Sequence, residues 1–127
     1  MRQVPGLYIA PVGDKGRGVF TTIDLSKGDT IEVCEIIELL PCELPVIHKT
    51  TLHDYYFLWG ENHDRCAIAL GFGSIYNHSD HSNASWVMDL VDNTLDFYAV
   101  KDIKAGEEIT INYHGNPDDA GPLWFDQ

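Results

Sequence analysis

The sequence is poor in basic residues. Its 127 residues include 8 Lys and Arg against 20 Asp and Glu, which gives a formal net charge of −12. A protein that binds nucleic acid without sequence preference neutralises phosphates with Lys and Arg, so this composition argues against direct nucleic-acid binding. A basic partner is expected instead. The negative charge is unevenly distributed, because residues 1–65 carry a net charge of −4 and residues 66–127 a net charge of −8.

Long apolar runs and paired cysteines are also missing. No stretch approaches the roughly 18 consecutive apolar residues of a membrane helix, and the first residues lack the apolar core of a secretion signal. Cys34, Cys42 and Cys66 are odd in number and widely spaced, which favours neither a disulfide framework nor a zinc cluster. These absences predict a soluble intracellular protein without a membrane partner, located in the cytoplasm or, alternatively, in a nucleus.

The chain is divided by Gly and Pro into short segments typical of a mostly-β domain. At about 150 residues per domain, residues 1–127 form one domain. Alternating or β-branched segments predict strands at residues 7–11, 18–21, 30–40, 86–90, 94–100 and 109–113. A break in the alternation at Ile36 predicts either a bulge near Glu35 or burial of both faces of the strand there. One helix is predicted from apolar residues at helical spacing after Thr50 or Thr51, namely Leu52, Tyr55, Tyr56 and Trp59.

One eight-residue pattern occurs twice in the chain. The sequence DLSKGDTI at residues 24–31 recurs as DIKAGEEI at residues 102–109. Two explanations remain open, either two related halves of one β architecture or the chance repetition of a turn that leads into a strand. Two copies are too few for a solenoid.

Three polar clusters are candidates for chemistry, and the first is KGRGVF at residues 15–20. Glycines at Gly16 and Gly18 let the backbone approach a ligand closely, because they have no Cβ, although a hairpin without a ligand explains them as well. The third cluster is GEEITINY at residues 106–113, a predicted strand that ends on Tyr113. Its phenol can form a hydrogen bond and its ring attracts cations, and a buried core tyrosine is the alternative.

The second cluster is GFGSIYNHSDHSN at residues 71–83, which apolar residues flank on both sides. Buried Asn and His side chains need hydrogen-bond partners, so this segment is expected to hold a defined geometry, if only as a structural turn. His78 and Asp80 also have the spacing of the near pair in a two-histidine-one-carboxylate iron site. An iron-dependent oxygenase with His81 or His114 as third ligand is therefore one alternative function.

Taken together, the three clusters resemble the SET domain of protein lysine methyltransferases, whose hallmarks are G-x-G-V-F, N-H-S-x-x-x-N and G-E-E-(L/I)-T-x-x-Y in this order. The resemblance covers about residues 8–113, leaves a short tail at 114–127, and is closest to the small stand-alone SET proteins of large viruses and bacteria. It implies a mostly-β fold of the β-clip type, with several small sheets and short helices. It also implies a pseudoknot-like crossing of the N-H-S segment and the C-terminal strand.

The resemblance implies a function for each cluster. The enzyme would transfer a methyl group from S-adenosylmethionine, without a metal, to a lysine of a basic, histone-like protein; a SET-like module that binds basic peptides without catalysis is the alternative. The catalytic tyrosines would be Tyr113 and Tyr55. The cofactor contacts would be Gly16, Arg17, Gly18, Asn77, His78 and Trp124, with Phe125 an alternative to the last. The lysine channel would be lined by Tyr56, Phe72 and Tyr76, with Tyr56 one residue from the predicted catalytic position.

The sequence departs from many SET proteins after Tyr113. No cysteine follows this tyrosine, whereas many relatives carry a cysteine-rich zinc-binding tail there. His114 also replaces the usual glycine, which makes the shape of the channel, and hence the number of methyl groups added, an open question. Small SET proteins form homodimers in some cases, so a second copy of the chain is an expected partner.

Overall fold

The structure, a computed structural model, describes residues 2–113 of the chain. Its ten strands are β1 (Arg2–Gln3), β2 (Leu7–Pro11), β3 (Arg17–Thr21), β4 (Thr30–Leu39), β5 (Tyr56–Trp59), β6 (Arg65–Ala69), β7 (Asn77–His78), β8 (Ala84–Asp89), β9 (Thr94–Ala99) and β10 (Glu108–Ile111). The helices are a four-residue α1 (Leu44–Ile47) and 3-10 turns at Gly13–Lys15, Pro41–Glu43 and Thr51–Asp54. Within the described range, no helix has the length and apolar character needed to cross a membrane.

The strands form two sheets that share one apolar core. The larger sheet has the order β5-β6-β4-β9-β8, with β1 joined to β4, and the smaller has the order β2-β3-β10-β7. Alternation gives each strand a core face, as in β9, where Leu95, Phe97 and Ala99 are buried. Ile109 and Ile111 of β10 are buried in the same way. The predicted mostly-β architecture with several sheets and short helices is confirmed.

The two copies of the repeated pattern pair with each other. Leu25 and Ile103 exchange both backbone hydrogen bonds, each N···O distance being 2.8 Å. The carboxylate of Asp24 accepts from the N–H of Ala105 at 2.8 Å, and that of Asp102 accepts from the N–H of Lys27 at 2.9 Å. Because these partners are equivalent positions of the two copies, the pairing is two-fold pseudosymmetric. The repeat is therefore a structural element that joins the two halves of the fold.

The predicted helix at residues 52–59 is wrong. A 3-10 turn at Thr51–Asp54 ends before Tyr56, and β5 pairs antiparallel with β6 over its whole length. The aromatic run of β5 has high strand propensity, and its pairing with β6 overrides a helical spacing that arose by coincidence. The cap is correct, since Thr50 Oγ1 accepts from the N–H of Leu52 at 3.2 Å.

The bulge lies elsewhere in β4, and because Glu35 is exposed, the strand is not buried on both faces at this residue. The register of β4 against β9 shifts between Thr30 and Glu32, which is three to five residues before Glu35. At Ile36 the strand changes partner instead, because residues 30–35 pair with β9 and residues 36–39 with β6.

Candidate active site

The N-H-S segment and the C-terminal strand lie side by side. Strand β7 pairs in parallel with β10, where Asn77 is opposite Thr110 and His78 opposite Ile111. The side chain of Asn83 fastens the same strand, because its Nδ2 donates to the carbonyl of Glu108 at 2.9 Å and its Oδ1 accepts from the N–H of Thr110 at 2.8 Å. The first and last residues of N-H-S-x-x-x-N thus bring two of the predicted clusters together.

Asn77 connects these strands to the G-x-G loop. Its Nδ2 donates to the carbonyl oxygen of Arg17 at 2.9 Å and to Oε2 of Glu108 at 2.7 Å. Gly18 is buried directly beneath this pair, since a Cβ there would collide with Oε2 of Glu108 and lie 2.9 Å from Nδ2 of Asn77. A larger residue at this position would have to displace the side chain of Glu108 or Asn77, so glycine permits the close approach of the three segments.

His78 is held between Asp80 and the backbone of Tyr113. The N–H of Tyr113 donates to Nδ1 of His78 at 3.1 Å, and Nε2 lies 2.9 Å from Oδ1 of Asp80. Since Nδ1 accepts, the ring proton is on Nε2 and is donated to the carboxylate. Both ring nitrogens of His78 thus have hydrogen-bond partners. Among residues 2–113 no three His, Cys, Asp or Glu side chains come together as a metal-binding group; His114 lies outside this range.

Tyr113 is a neutral, oriented phenol. Its O–H donates to the carbonyl oxygen of Tyr76 at 2.8 Å. Burial raises the pKa of Tyr113 to about 12, with smaller contributions from Tyr55 and from the negative charges of Asp54 and Glu108. The hydroxyl therefore keeps its proton at neutral pH and acts as a hydrogen-bonding group, not as a general base.

Two cavities meet at Tyr55 and Tyr113. The larger, of about 640 Å³, lies between the edge strands β5 and β8, and the smaller, of about 190 Å³, is lined by Arg17 and Asn77. Tyr55, Tyr113, Asp54 and Ser74 line both. Among the described lining residues, Asp54 is the only carboxylate. The cavities draw on both halves of the chain.

The neighbouring residues Tyr55 and Tyr56 have different surroundings. Tyr55 lines both cavities, whereas Tyr56 lines the larger one only and its phenol oxygen is 2.9 Å from Nε2 of His48. Tyr55 is thus the one that faces Tyr113.

Tyr76 and Phe72, the other two residues predicted to line the lysine channel, differ from each other in position. Tyr76 lines the larger cavity but is 1% exposed, and its O–H donates to Oε1 of Glu32 in the core at 2.8 Å. Phe72 lines neither cavity, packs against the core and donates its N–H to Glu32 at 3.0 Å. The prediction for Trp124 falls outside the described residues.

Three carboxylates at the site were not predicted from the sequence. Glu32 is fully buried and binds the turn before β7, Glu108 binds Asn77, and Asp54 lines both cavities. Glu32 lies between Ile31 and Val33, but Glu35 and Glu38 of the same strand also have apolar neighbours and are exposed, so the sequence alone does not single out Glu32. Asp54 resembles an ordinary surface residue in the sequence, and Glu108 belongs to the G-E-E motif, which does not itself reveal the contact with Asn77.

Comparisons with known proteins agree with this arrangement. The SET domain family model matches residues 16–114. The chain belongs to the SET domain family. It is 32% identical over 121 residues to "Histone-lysine N-methyltransferase, H3 lysine-37 specific" of Schizosaccharomyces pombe, covering 94% of this chain and 77% of that protein. The predicted family and fold are confirmed, and with the family comes the predicted class of enzyme, a lysine methyltransferase.

Two solved structures share the fold. A Plasmodium falciparum protein described as a histone methyltransferase has a TM-score of 0.73 and 28% identity, with 98% of this chain and 99% of that chain covered. The complex "ctPRC2 in an autoinhibited conformation bound to S-adenosylmethionine" has a TM-score of 0.72 and 20% identity, with 85% of this chain and 15% of that chain covered. At this identity the second similarity concerns the fold alone.

Proposed function

We propose that this SET domain transfers a methyl group from S-adenosylmethionine to a lysine of a basic, histone-like protein. The observation that carries the proposal is the wall shared by the two cavities, which Tyr55 and Tyr113 form. A lysine side chain in the larger cavity would meet S-adenosylmethionine in the smaller cavity at these two rings. The similarity to a histone-lysine N-methyltransferase supports a histone-like substrate, as does the net charge of −12.

The smaller cavity fits the amino-acid end of S-adenosylmethionine. Arg17 lines it and offers a cation for a carboxylate, while the carboxamide oxygen of Asn77 offers an acceptor for an ammonium group. The glycine at Gly18 keeps the loop close to Asn77. When bound, S-adenosylmethionine would supply an electrophilic methyl group, whose carbon bonds to the amine nitrogen as its bond to sulfur breaks and the sulfur leaves as a thioether.

The chain contributes alignment and exclusion of water. A lysine with a pKa near 10.4 is largely protonated at neutral pH, so its deprotonation costs about 4–5 kcal/mol at pH 7. Burial between the rings of Tyr55 and Tyr113 lowers this cost by disfavouring the charged amine. Since the phenol of Tyr113 stays protonated, water is the expected proton acceptor before the amine is enclosed.

A methyl-transfer assay tests the proposal. Purified protein, S-adenosylmethionine and histones are incubated, and the products are examined by mass spectrometry for a 14 Da increase per methyl group on lysine. Tyr113→Phe removes one hydroxyl and is expected to lower kcat about 10- to 1,000-fold. Tyr8→Phe, which removes a hydroxyl from an exposed tyrosine outside both cavities, is the matched control and is expected to leave kcat unchanged.

The outcome separates enzyme from binding module. If wild-type protein binds a basic histone peptide but transfers no methyl group to any histone lysine, the catalytic proposal is wrong and the non-catalytic alternative holds. Equal activity of Tyr113→Phe and wild type would refute the role of Tyr113. The proposal also includes an intracellular location, which cell fractionation tests. It includes a homodimer as well, which light scattering of the purified protein tests.

A further inference from the structure

Glu108 is a half-buried carboxylate at the smaller cavity with no role in the function proposed so far. It lies on β10, opposite Phe20 of β3, and its Oε2 accepts from Nδ2 of Asn77 at 2.7 Å. Asn77 lines the cavity and Glu108 does not, so any effect of Glu108 on a ligand acts through Asn77 and through its charge.

The contacts of Asn77 determine which way its carboxamide points. Both partners of Nδ2, the carbonyl oxygen of Arg17 and the carboxylate of Glu108, can only accept hydrogen bonds. The NH₂ group must therefore face them, and the carboxamide oxygen must point away from them. Without Glu108, only the carbonyl of Arg17 would oppose rotation of the amide by 180°.

The ladder of β10 does not depend on the Glu108 side chain. Asn83 binds the backbone carbonyl of Glu108 and the N–H of Thr110, while Ile109 pairs with Val19 of β3. Removal of the carboxylate leaves all of these contacts in place. A variant at this position is therefore expected to fold.

We propose that Glu108 is a positioning residue that turns the carboxamide oxygen of Asn77 toward the α-ammonium group of the cofactor and adds a negative charge near it. This inference rests on the proposed function, because it assumes that the smaller cavity receives the amino-acid end of S-adenosylmethionine. The recognised chemical group is a primary ammonium, and a hydrogen bond from it to a correctly oriented amide oxygen strengthens binding about tenfold or more.

The test compares two ligands that differ only in that group. Calorimetry measures the affinities of S-adenosylhomocysteine and of its desamino analogue, in which hydrogen replaces the amino group. Wild type is expected to prefer the amino compound about tenfold or more. Glu108→Ala is expected to reduce this preference to threefold or less, while its affinity for the desamino analogue changes less than twofold.

Two further variants separate orientation from charge. Glu108→Gln keeps an acceptor for Asn77 but loses the charge, so its affinity for the amino compound alone is expected to fall less than twofold and most of the preference is retained. Glu107→Gln is the matched control on the neighbouring residue, whose side chain accepts from the N–H of Lys104 in the turn, and is expected to leave both affinities unchanged. In turnover, Glu108→Ala should raise KM for S-adenosylmethionine with little change in kcat or in KM for the peptide.

Each remaining outcome is decisive. If Glu108→Ala weakens both ligands by the same factor, the residue is merely structural and the inference is wrong while the proposed function stands. A wild-type protein that binds both ligands equally also overturns the inference, because Asn77 then does not recognise the ammonium group. Failure of wild type to bind either ligand overturns the proposed function and this inference with it.

Discussion

Glu32 provides the most direct test of how the core supports the site. Its carboxylate is fully buried and accepts three hydrogen bonds, from Nε2 of Gln3 at 2.6 Å, the N–H of Phe72 at 3.0 Å and the O–H of Tyr76 at 2.8 Å. Two of these donors belong to the turn that leads into β7. Replacement of Glu32 by Leu keeps the bulk of the side chain but removes every acceptor.

The expected losses follow from the donors that remain. In Glu32→Leu the N–H of Phe72 and the O–H of Tyr76 lose their acceptor, and at about 1–3 kcal/mol for each unsatisfied buried group, the free energy of unfolding falls by about 2–6 kcal/mol. In Glu32→Gln the amide oxygen can accept from Gln3 and Phe72, while the hydroxyl of Tyr76 reverses and accepts from the NH₂ group. The loss is then about 1 kcal/mol, because neutral hydrogen bonds replace charged ones.

Urea unfolding of the two variants and wild type measures these differences. Glu61→Gln, at an exposed position, is the control and should change the free energy of unfolding by less than about 0.5 kcal/mol. A buried charge can be less stable than an apolar residue of equal size, so the result is not trivial. If Glu32→Leu is as stable as wild type or more stable, the three hydrogen bonds do not stabilise the fold and the reasoning fails.

Three further predictions follow from individual contacts. Asp54→Asn removes a negative charge from the wall of both cavities, so it should raise KM for a basic peptide about two- to fivefold at low salt and weaken the salt dependence of KM. Asp92→Asn is the control and should leave KM unchanged. Equal salt dependence of KM in wild type and Asp54→Asn would contradict the prediction. The folded-state pKa of Tyr113 lies above its unfolded value of 10, so the unfolded chain loses the proton first and stability should fall by about 2 kcal/mol as pH rises from 10 to about 12. Urea midpoints at pH 9 and 11 should show this fall reduced in Tyr113→Phe, and an identical fall would refute it. Asp24→Ala and Asp102→Ala should each cost about 1 kcal/mol in thermal unfolding, and losses that differ by more than that amount would contradict the pseudosymmetric pairing.

Strand positions and motif order could be predicted from the sequence because they depend on local patterns. The strands β2, β3, β4, β8, β9 and β10 were predicted to within two residues at most ends. The segment around Tyr55 was misassigned, because whether its aromatic run forms a helix or a strand depends on β6, which follows in the chain and was not itself predicted. Side-chain contacts were the hardest to predict, as Tyr76 demonstrates: it lines the larger cavity, but its motif gives no sign that its phenol donates to the buried carboxylate of Glu32.

Comparison of the two repeat copies shows which residues the scaffold needs. Asp24 and Asp102 are identical and make equivalent hydrogen bonds, and the two glycines have φ of +94° and +90°, so the shared positions account for the turn and its pairing. The seventh residue of the first copy is Thr30, which is exposed, and the seventh residue of the second copy is Glu108. Because the same turn and strand form with a threonine, the scaffold does not require a carboxylate at this position. Its contact with Asn77 at the smaller cavity is the feature that distinguishes the second copy, which argues that the carboxylate of Glu108 serves the site.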